Sequence, residues 1–165
     1  VMFVVETFSG TQEEMHDELV RQAQGLLQGE RDLVANAANL SALIWQIVPN
    51  LNWVGFYFMK KGELVLGPFQ GKPACVRIPI GKGVCGGAVA RRETMLVRDV
   101  HEFPGHIACD AASNSEIVVP LIKNGRVHGV LDLDSPKLAR FDEIDQKGFE
   151  RLVSVFVAAT DFDNA

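Results

Sequence analysis

Residues 115–135 read SEIVVPLIKNGRVHGVLDLDS. Two runs of aliphatic and β-branched residues, Glu116 to Ile122 and Arg126 to Leu133, flank Lys123-Asn124-Gly125, a hairpin turn, so the two strands are expected to run antiparallel. Outward from this hairpin the same texture recurs. Trp53 to Phe58 and Glu63 to Leu66 flank a second turn at Lys60-Lys61-Gly62, and Ala74 to Pro79 and Thr94 to Val97 complete six strand-like segments. Ahead of them, Thr11 to Leu27 reads as a helix capped by Thr11 with Glu14 three residues on, and Asp32 to Val48 as a second that ends at Pro49. Gly83 to Arg92 is a short helix in mid-chain. Asp142 to Ala159 is an amphipathic closing helix, with Phe141, Ile144, Phe149, Leu152, Val153 and Phe156 on or near its inner face. Helices before and after a six-stranded antiparallel sheet define an α+β domain.

With 165 residues and 47% hydrophobic composition, the chain is long enough to bury one full core. A single domain is expected over residues 11–165, with residues 1–10 a frayed or extraneous leader that lacks an initiator Met. No run approaches the roughly 18 consecutive apolar residues of a membrane span, and Val1 to Val5 lacks the basic flank and length of a signal peptide. A cytoplasmic protein is expected. The net charge of −5, without a concentrated Lys/Arg patch, argues against a nucleic-acid partner. Cys75, Cys85 and Cys109 are an odd number with no CxxC pair, which fits neither a secreted disulfide framework nor a zinc motif. Reduced thiols are the expected state, any disulfide being transient, and no metal or cofactor is expected.

The longest irregular stretch, Arg98 to Ser115, carries Gly105-His106-Ile107-Ala108-Cys109-Asp110, and loops of that length in a small domain are usually functional or disordered. It precedes Glu116, and beyond the hairpin turn lie Asp132 and Asp134. Carboxylates set in runs of Val, Ile and Leu are expensive to bury without partners or substrate, so this thiol and these acids call for a reaction site. Asp132 and Asp134 are two apart on one strand and share a face. Glu116 depends on the turn. A two-residue loop sets it opposite Leu133 on the wrong face, whereas a three-residue loop with Gly125 left-handed sets it opposite Asp132. The three-residue loop is the expectation, because it gathers all three acids. Blander readings compete elsewhere: Cys85 as a small core hydrophobe, Trp53 and Tyr57 as core residues at strand spacing, and His106 and His128 as hydrogen-bonded scaffold. Asp99, Asp110 and Asp142 read as loop or cap residues, and Gly81, Gly83, Gly86 and Gly87 as turn and close-packing positions without the GK[ST] of a phosphate loop.

The runs Trp53-Val54-Gly55-Phe56-Tyr57, Leu64-Val65-Leu66-Gly67-Pro68-Phe69-Gln70-Gly71, Ile80-Gly81-Lys82-Gly83-Val84-Cys85-Gly86, His106-Ile107-Ala108-Cys109-Asp110 and Gly129-Val130-Leu131-Asp132-Leu133-Asp134-Ser135 resemble the free methionine-(R)-sulfoxide reductases, built on a GAF domain. The resemblance extends over roughly Ala35 to Phe156, with the five motifs in the family's order. It implies that Cys109 attacks the sulfoxide of free methionine sulfoxide, that Cys75 resolves it and that Cys85 is an accessory thiol. It also implies that Glu116, Asp132 and Asp134 hold the substrate and that Trp53 packs on its methylthio end, with Tyr57 a weaker candidate beside it. A homodimer is expected from the family and from the common two-fold preference of oligomers.

The residues suit that chemistry. Sulfoxide reduction needs a soft nucleophile and a proton for the departing oxygen. The cysteine is left as a sulfenic acid, which condenses with a second thiol, Cys75 or Cys85, and an external dithiol such as thioredoxin then restores the pair. Three acids beside Cys109 would keep it protonated, but the ammonium group of a free amino acid docked among them removes that objection, and the crowding should raise the pKa of at least one acid. Two other functions compete with this one. A non-catalytic GAF sensor of a cyclic nucleotide or metabolite is expected to need an output domain for which this length leaves no room, and the acids repel an anionic ligand. A two-cysteine thiol peroxidase has no need of the acids.

Overall fold

The computed structural model describes residues 2–6, 8–107 and 109–162. Its elements run α1 (Gln12–Leu26), α2 (Leu33–Ile47), β1 (Trp53–Lys60), β2 (Glu63–Gly71), β3 (Arg77–Pro79), α3 (Gly83–Arg91), β4 (Met95–Val97), β5 (Ser115–Lys123), β6 (Arg126–Ser135) and α4 (Glu143–Ala159), with a 3-10 turn at Val100–Glu102 before β5. Helices α1, α2 and α4 start where their capping residues satisfy orphan amides of the first turn, whereas α3 has no side-chain cap. Thr11 and Glu14 form the expected capping box on α1, Asp32 accepts from the Ala35 N–H at 2.8 Å on α2, and Asp142 and Asp145 cap α4 reciprocally. Pro49 holds Val48 in an extended conformation (φ −85°, ψ 117°), which ends α2.

The sheet has the order β3-β2-β1-β6-β5-β4, each neighbouring pair antiparallel. Helices α1, α2 and α4 cover one face, and there Leu19, Leu40, Ile44, Phe56, Ile117, Leu131, Leu133, Phe149 and Phe156 form the larger hydrophobic cluster. Phe156 lies 4.7 Å from Phe56, ring centre to ring centre, and truncating so deeply buried a phenylalanine to alanine costs roughly 3–5 kcal/mol. The opposite face carries α3 and a second cluster that includes Trp53, Tyr57, Ile78, Val84, Val118 and Val130. Period-two alternation along β6 therefore sends Leu131 and Leu133 to the three-helix side and Asp132 and Asp134 to the α3 side.

Two expectations are corrected here. Cys75 is not in a strand: β3 begins at Arg77, because Pro73 has no amide to donate and the segment ahead of β3 is tied back mainly through the Val76 carbonyl, which accepts from Leu66 N–H at 2.9 Å. The β5–β6 turn is not a three-residue loop. Asn124 tolerates the left-handed region, and it (φ 53°) and Gly125 (φ 77°) form a two-residue turn with Lys123 paired to Arg126. That turn alone would set Glu116 against Leu133. Between Leu121 and Ile122, however, the register shifts: Ile122 pairs with Val127 and Leu121 with Gly129, so His128 is an extra residue in β6 and Glu116 pairs with Asp134. The three acids do share a face, by way of a β-bulge rather than a longer loop.

Within residues 1–10, Val5 and Phe8 pack against the larger cluster, and Glu6 N–H donates to the Gln22 side chain at 3.3 Å. Residues 1 and 7, Ala108 of the Cys109 motif and the last three positions of the expected 11–165 domain lie outside the described residues.

Candidate active site

Three strands and one helix place the acids, the two aromatics and Cys85, while Cys75 and Cys109 lie in the segments between elements. On β1, Trp53 pairs with Asp134, Gly55 with Asp132 and Tyr57 with Val130, so the two aromatic rings flank the acidic row. On β5, Glu116 stands opposite Asp134. Helix α3 then covers the row with its first turn. It can sit so close because Gly86 packs against the β3–α3 connection, where an added Cβ would lie 2.4 Å from the Pro79 carbonyl oxygen. That seating points Cys85 at the acids, its Sγ 4.0 Å from Glu116 Oε2.

Glu116 and Asp132 are each 6% exposed and Asp134 is partly buried. Among the described residues no Lys or Arg forms an ion pair with any of them, and the nearest basic group is His106, whose Nε2 lies 3.9 Å from Glu116 Oε1. His106 is no counter-charge, because burial first and the charge of His101 second lower its pKa. Burial and mutual repulsion consequently raise all three acids well above the ordinary carboxylate range, with Asp132 acting on Glu116, Asp134 on Asp132 and Glu116 on Asp134. Burial, reinforced by the same acids, also pushes the Cys85 thiol up. Asp132 lines the pocket, and its Oδ1 is buried without a hydrogen-bond partner among the described residues.

Cys75 and Cys109 are joined in a disulfide across the pocket, their Cα atoms 5.6 Å apart, and Cys85 is a free, buried thiol. Each half of this bridge is tied down. The Tyr57 hydroxyl donates to the Cys75 carbonyl at 2.8 Å, and Trp53 Nε1–H donates to the Lys72 carbonyl at 3.2 Å, so the aromatic pair grips the segment carrying Cys75. On the other side Asn52 Nδ2 donates to Asp110 Oδ2 at 3.1 Å and to Ser113 Oγ at 2.9 Å, while Asp110 Oδ1 accepts from Ala112 N–H at 2.9 Å. Trp53 stacks on Phe69 at 5.2 Å and on Tyr57 at 5.9 Å, so both aromatics are core residues and pocket wall at once.

The fold thus brings seven of the eight candidate residues to one pocket, lined by Cys85, Cys109, Glu116, Asp132, Asp134, Trp53 and Tyr57, and the eighth, Cys75, is tied to its edge through the bond to Cys109. Sequence reasoning passed over Asn52, Lys72 and Ile107. Asn52 and Lys72 act through an amide and a backbone carbonyl that carry no pattern, and Ile107 reads as an ordinary apolar residue. His106, read as scaffold or functional alike, stands on the pocket wall; His128 stacks on Phe162 at 4.5 Å, far from the acids in the register. Asp99, Asp110 and Asp142 are the turn and cap residues expected.

A disulfide beside buried acids that lack a Lys or Arg partner among the described residues suits a small, positively charged ligand. Residues 34–161 match the family model of the GAF domain. The chain is 50% identical over 152 residues to the free methionine-R-sulfoxide reductase of Escherichia coli, spanning 90% of this chain and 92% of that protein. With the free methionine-R-sulfoxide reductase of Saccharomyces cerevisiae it shares 44% identity over 151 residues, 87% of this chain and 84% of that one. The X-ray structure of free methionine-R-sulfoxide reductase from Neisseria meningitidis in complex with its substrate superimposes with a TM-score of 0.92, at 42% identity over 96% of this chain and 95% of that chain. Fold and site define a GAF domain with a thiol pair. The chain belongs to the free methionine-R-sulfoxide reductase family.

Proposed function

We propose that this protein reduces free L-methionine (R)-S-oxide to L-methionine. The observation that carries this reading is the Cys75–Cys109 disulfide closed across a pocket whose floor is Glu116, Asp132 and Asp134. In this reading the α-ammonium group of the substrate docks among the carboxylates, which supply the charge it seeks and gain the cation they lack. The methylthio end lies against Trp53, and the sulfoxide sulfur meets Cys109. The Cys109 thiol attacks sulfur and the oxygen is transferred to it, releasing methionine and leaving a sulfenic acid; the Cys75 thiol then displaces that oxygen as water, forming the disulfide. Two thiols are oxidised and one sulfoxide is reduced. The disulfide needs an external dithiol to return, and thioredoxin has a low enough potential. Cys85 stands outside this cycle.

A cytoplasmic setting and a homodimer belong to the same reading. The need for a reducing dithiol supports the first, and the second draws support from Val34 and Trp45, exposed apolar residues three turns apart on α2. The test is turnover on stereochemically resolved substrates. The free (R)-sulfoxide should be reduced, while the (S)-epimer, peptide-bound sulfoxide and N-acetylmethionine sulfoxide should be reduced at least about tenfold less efficiently in kcat/KM. Comparable rates on the N-acetyl substrate would overturn ammonium recognition, and sustained turnover by Cys109→Ser would overturn the nucleophile.

A further inference from the structure

We propose that Cys85, Glu116 and Asp132 form a site for a borderline-soft divalent cation, Zn²⁺, on the floor of the pocket. The sequence spacing contains no metal motif, because the three donors come from α3, β5 and β6 and meet only through the fold. One donor atom from each lies within 4.8 Å of the other two, all three residues being buried. Zinc bonds of roughly 2.3 Å to sulfur and 2.0–2.2 Å to oxygen require donors about 3.3–3.8 Å apart, so the side chains must draw in by about an ångström. Buried side chains reach that with small changes of χ angle.

A cluster of acids is not in itself a site, and two further observations point to a ligand. Asp132 lines the cavity, and its Oδ1 is buried and unpartnered among the described residues. Cys85 is the one thiol outside the disulfide and has no part in the proposed cycle, and although it packs within the smaller hydrophobic cluster, its Sγ lies 4.0 Å from Glu116 Oε2. Thiolate sulfur and carboxylate oxygen are both zinc ligands, and a bound cation would neutralise charges that are costly to bury together. The sulfur selects against Mg²⁺ and Ca²⁺, which take six or more oxygens. Three protein donors leave a fourth position open toward the pocket, as in zinc sites that admit an exchangeable ligand. A cation held there occupies the place assigned above to the substrate ammonium. Zinc and substrate therefore exclude one another, a consequence that rests on the proposed function, although the site itself does not.

The experiment uses the whole chain with the Cys75–Cys109 disulfide formed, so that Cys85 is the only thiol. Zn²⁺ is titrated in competition with a chromophoric chelator, and Co²⁺ in parallel by absorption. One equivalent of Zn²⁺ should bind, and Co²⁺ should give a near-ultraviolet thiolate charge-transfer band. Cys85→Ser should abolish the band and weaken Zn²⁺ by about tenfold or more, and Asp132→Asn should weaken it similarly while keeping the band. Circular dichroism verifies the fold of both variants, and if Cys85→Ser does not fold, the unmodified chain's Co²⁺ spectrum and Asp132→Asn decide. No uptake of Zn²⁺ by the oxidised chain, or uptake insensitive to both substitutions, overturns the site. Excess methionine sulfoxide should raise the apparent Zn²⁺ dissociation constant. A chain that takes up Zn²⁺ but does not reduce methionine sulfoxide overturns the functional reading alone, and one that reduces it but takes up no Zn²⁺ overturns the site alone.

Discussion

Tyr57→Phe should loosen the Cys75–Cys109 disulfide without disturbing the pocket wall. The hydroxyl donates to the Cys75 carbonyl at 2.8 Å, while the ring stacks on Trp53 at 5.9 Å, and phenylalanine keeps the ring and loses only the bond. A neutral hydrogen bond is worth about 1 kcal/mol net, and the penalty for orphaning its partner runs from about 1 to 3 kcal/mol. Cys75 is only partly buried, so water can reach the abandoned carbonyl and the low end applies. About 1 kcal/mol is roughly fivefold in an equilibrium constant. The effective concentration of the Cys75 thiol toward Cys109, read from the disulfide–dithiol equilibrium in glutathione buffers, should therefore fall about fivefold, because the bond fixes the segment in the conformation from which the disulfide closes. An unchanged equilibrium would refute this. So would a large loss of kcat/KM at an unaltered equilibrium, which would assign the hydroxyl to the substrate instead.

Asp134→Asn should lower kcat/KM for the free (R)-sulfoxide by about tenfold or more with the thermal unfolding transition preserved, since an amide keeps the shape but not the charge that meets the ammonium. Native oxidised protein should take up no iodoacetamide at pH 8, whereas the denatured chain should take up one per molecule by mass; brisk native labelling would mean that burial and the neighbouring acids do not hold Cys85 as a thiol. Asp145 is fully buried, and although burial acts to raise its pKa, the bond to His16 at 2.8 Å, the Asp142 N–H and the nearby Arg140 more than offset it and hold the carboxyl below its usual value. That contribution is present above the unfolded value near 3.9 and is lost as pH falls through the lower folded value. Asp145→Asn should therefore reduce the unfolding free energy from urea titration by about 3 kcal/mol at pH 7, a deficit that narrows only below about pH 4.

The helices were legible because their signals are local: Thr11 with Glu14 and Asp32 ahead of Leu33 are caps that act within one turn. The pocket face was legible from the spacing of Asp132 and Asp134, which any strand sends to one side. What escaped depends on contacts far apart in the chain. Ala74 to Pro79 has strand composition, but the Trp53 and Tyr57 side chains draw Lys72 and Cys75 over the pocket, and strand pairing starts only at Arg77. Cys75 and Cys109 are 34 residues apart, a separation that by itself favours no pairing; the family resemblance, not the spacing, pointed to them. The β5–β6 register eluded reading because two local choices, turn length and bulge, combine, and the alternation of apolar residues cannot separate them on a sheet buried on both faces.

The bulge at His128 is a spare stitch in that hairpin. Between Lys123 and Asp134 the chain has one residue more than the ladder needs, and the surplus is taken up where Ile122 pairs with Val127 and Leu121 with Gly129. Removing one residue there would straighten the strand and leave Glu116 opposite Asp134, whereas adding one would have to be absorbed as a second bulge or would turn Glu116 toward the three-helix side. The pocket is thus buffered against shortening of this hairpin and exposed to its lengthening, so a lineage of such chains could lose a residue near the turn and keep its chemistry, but could not as easily gain one.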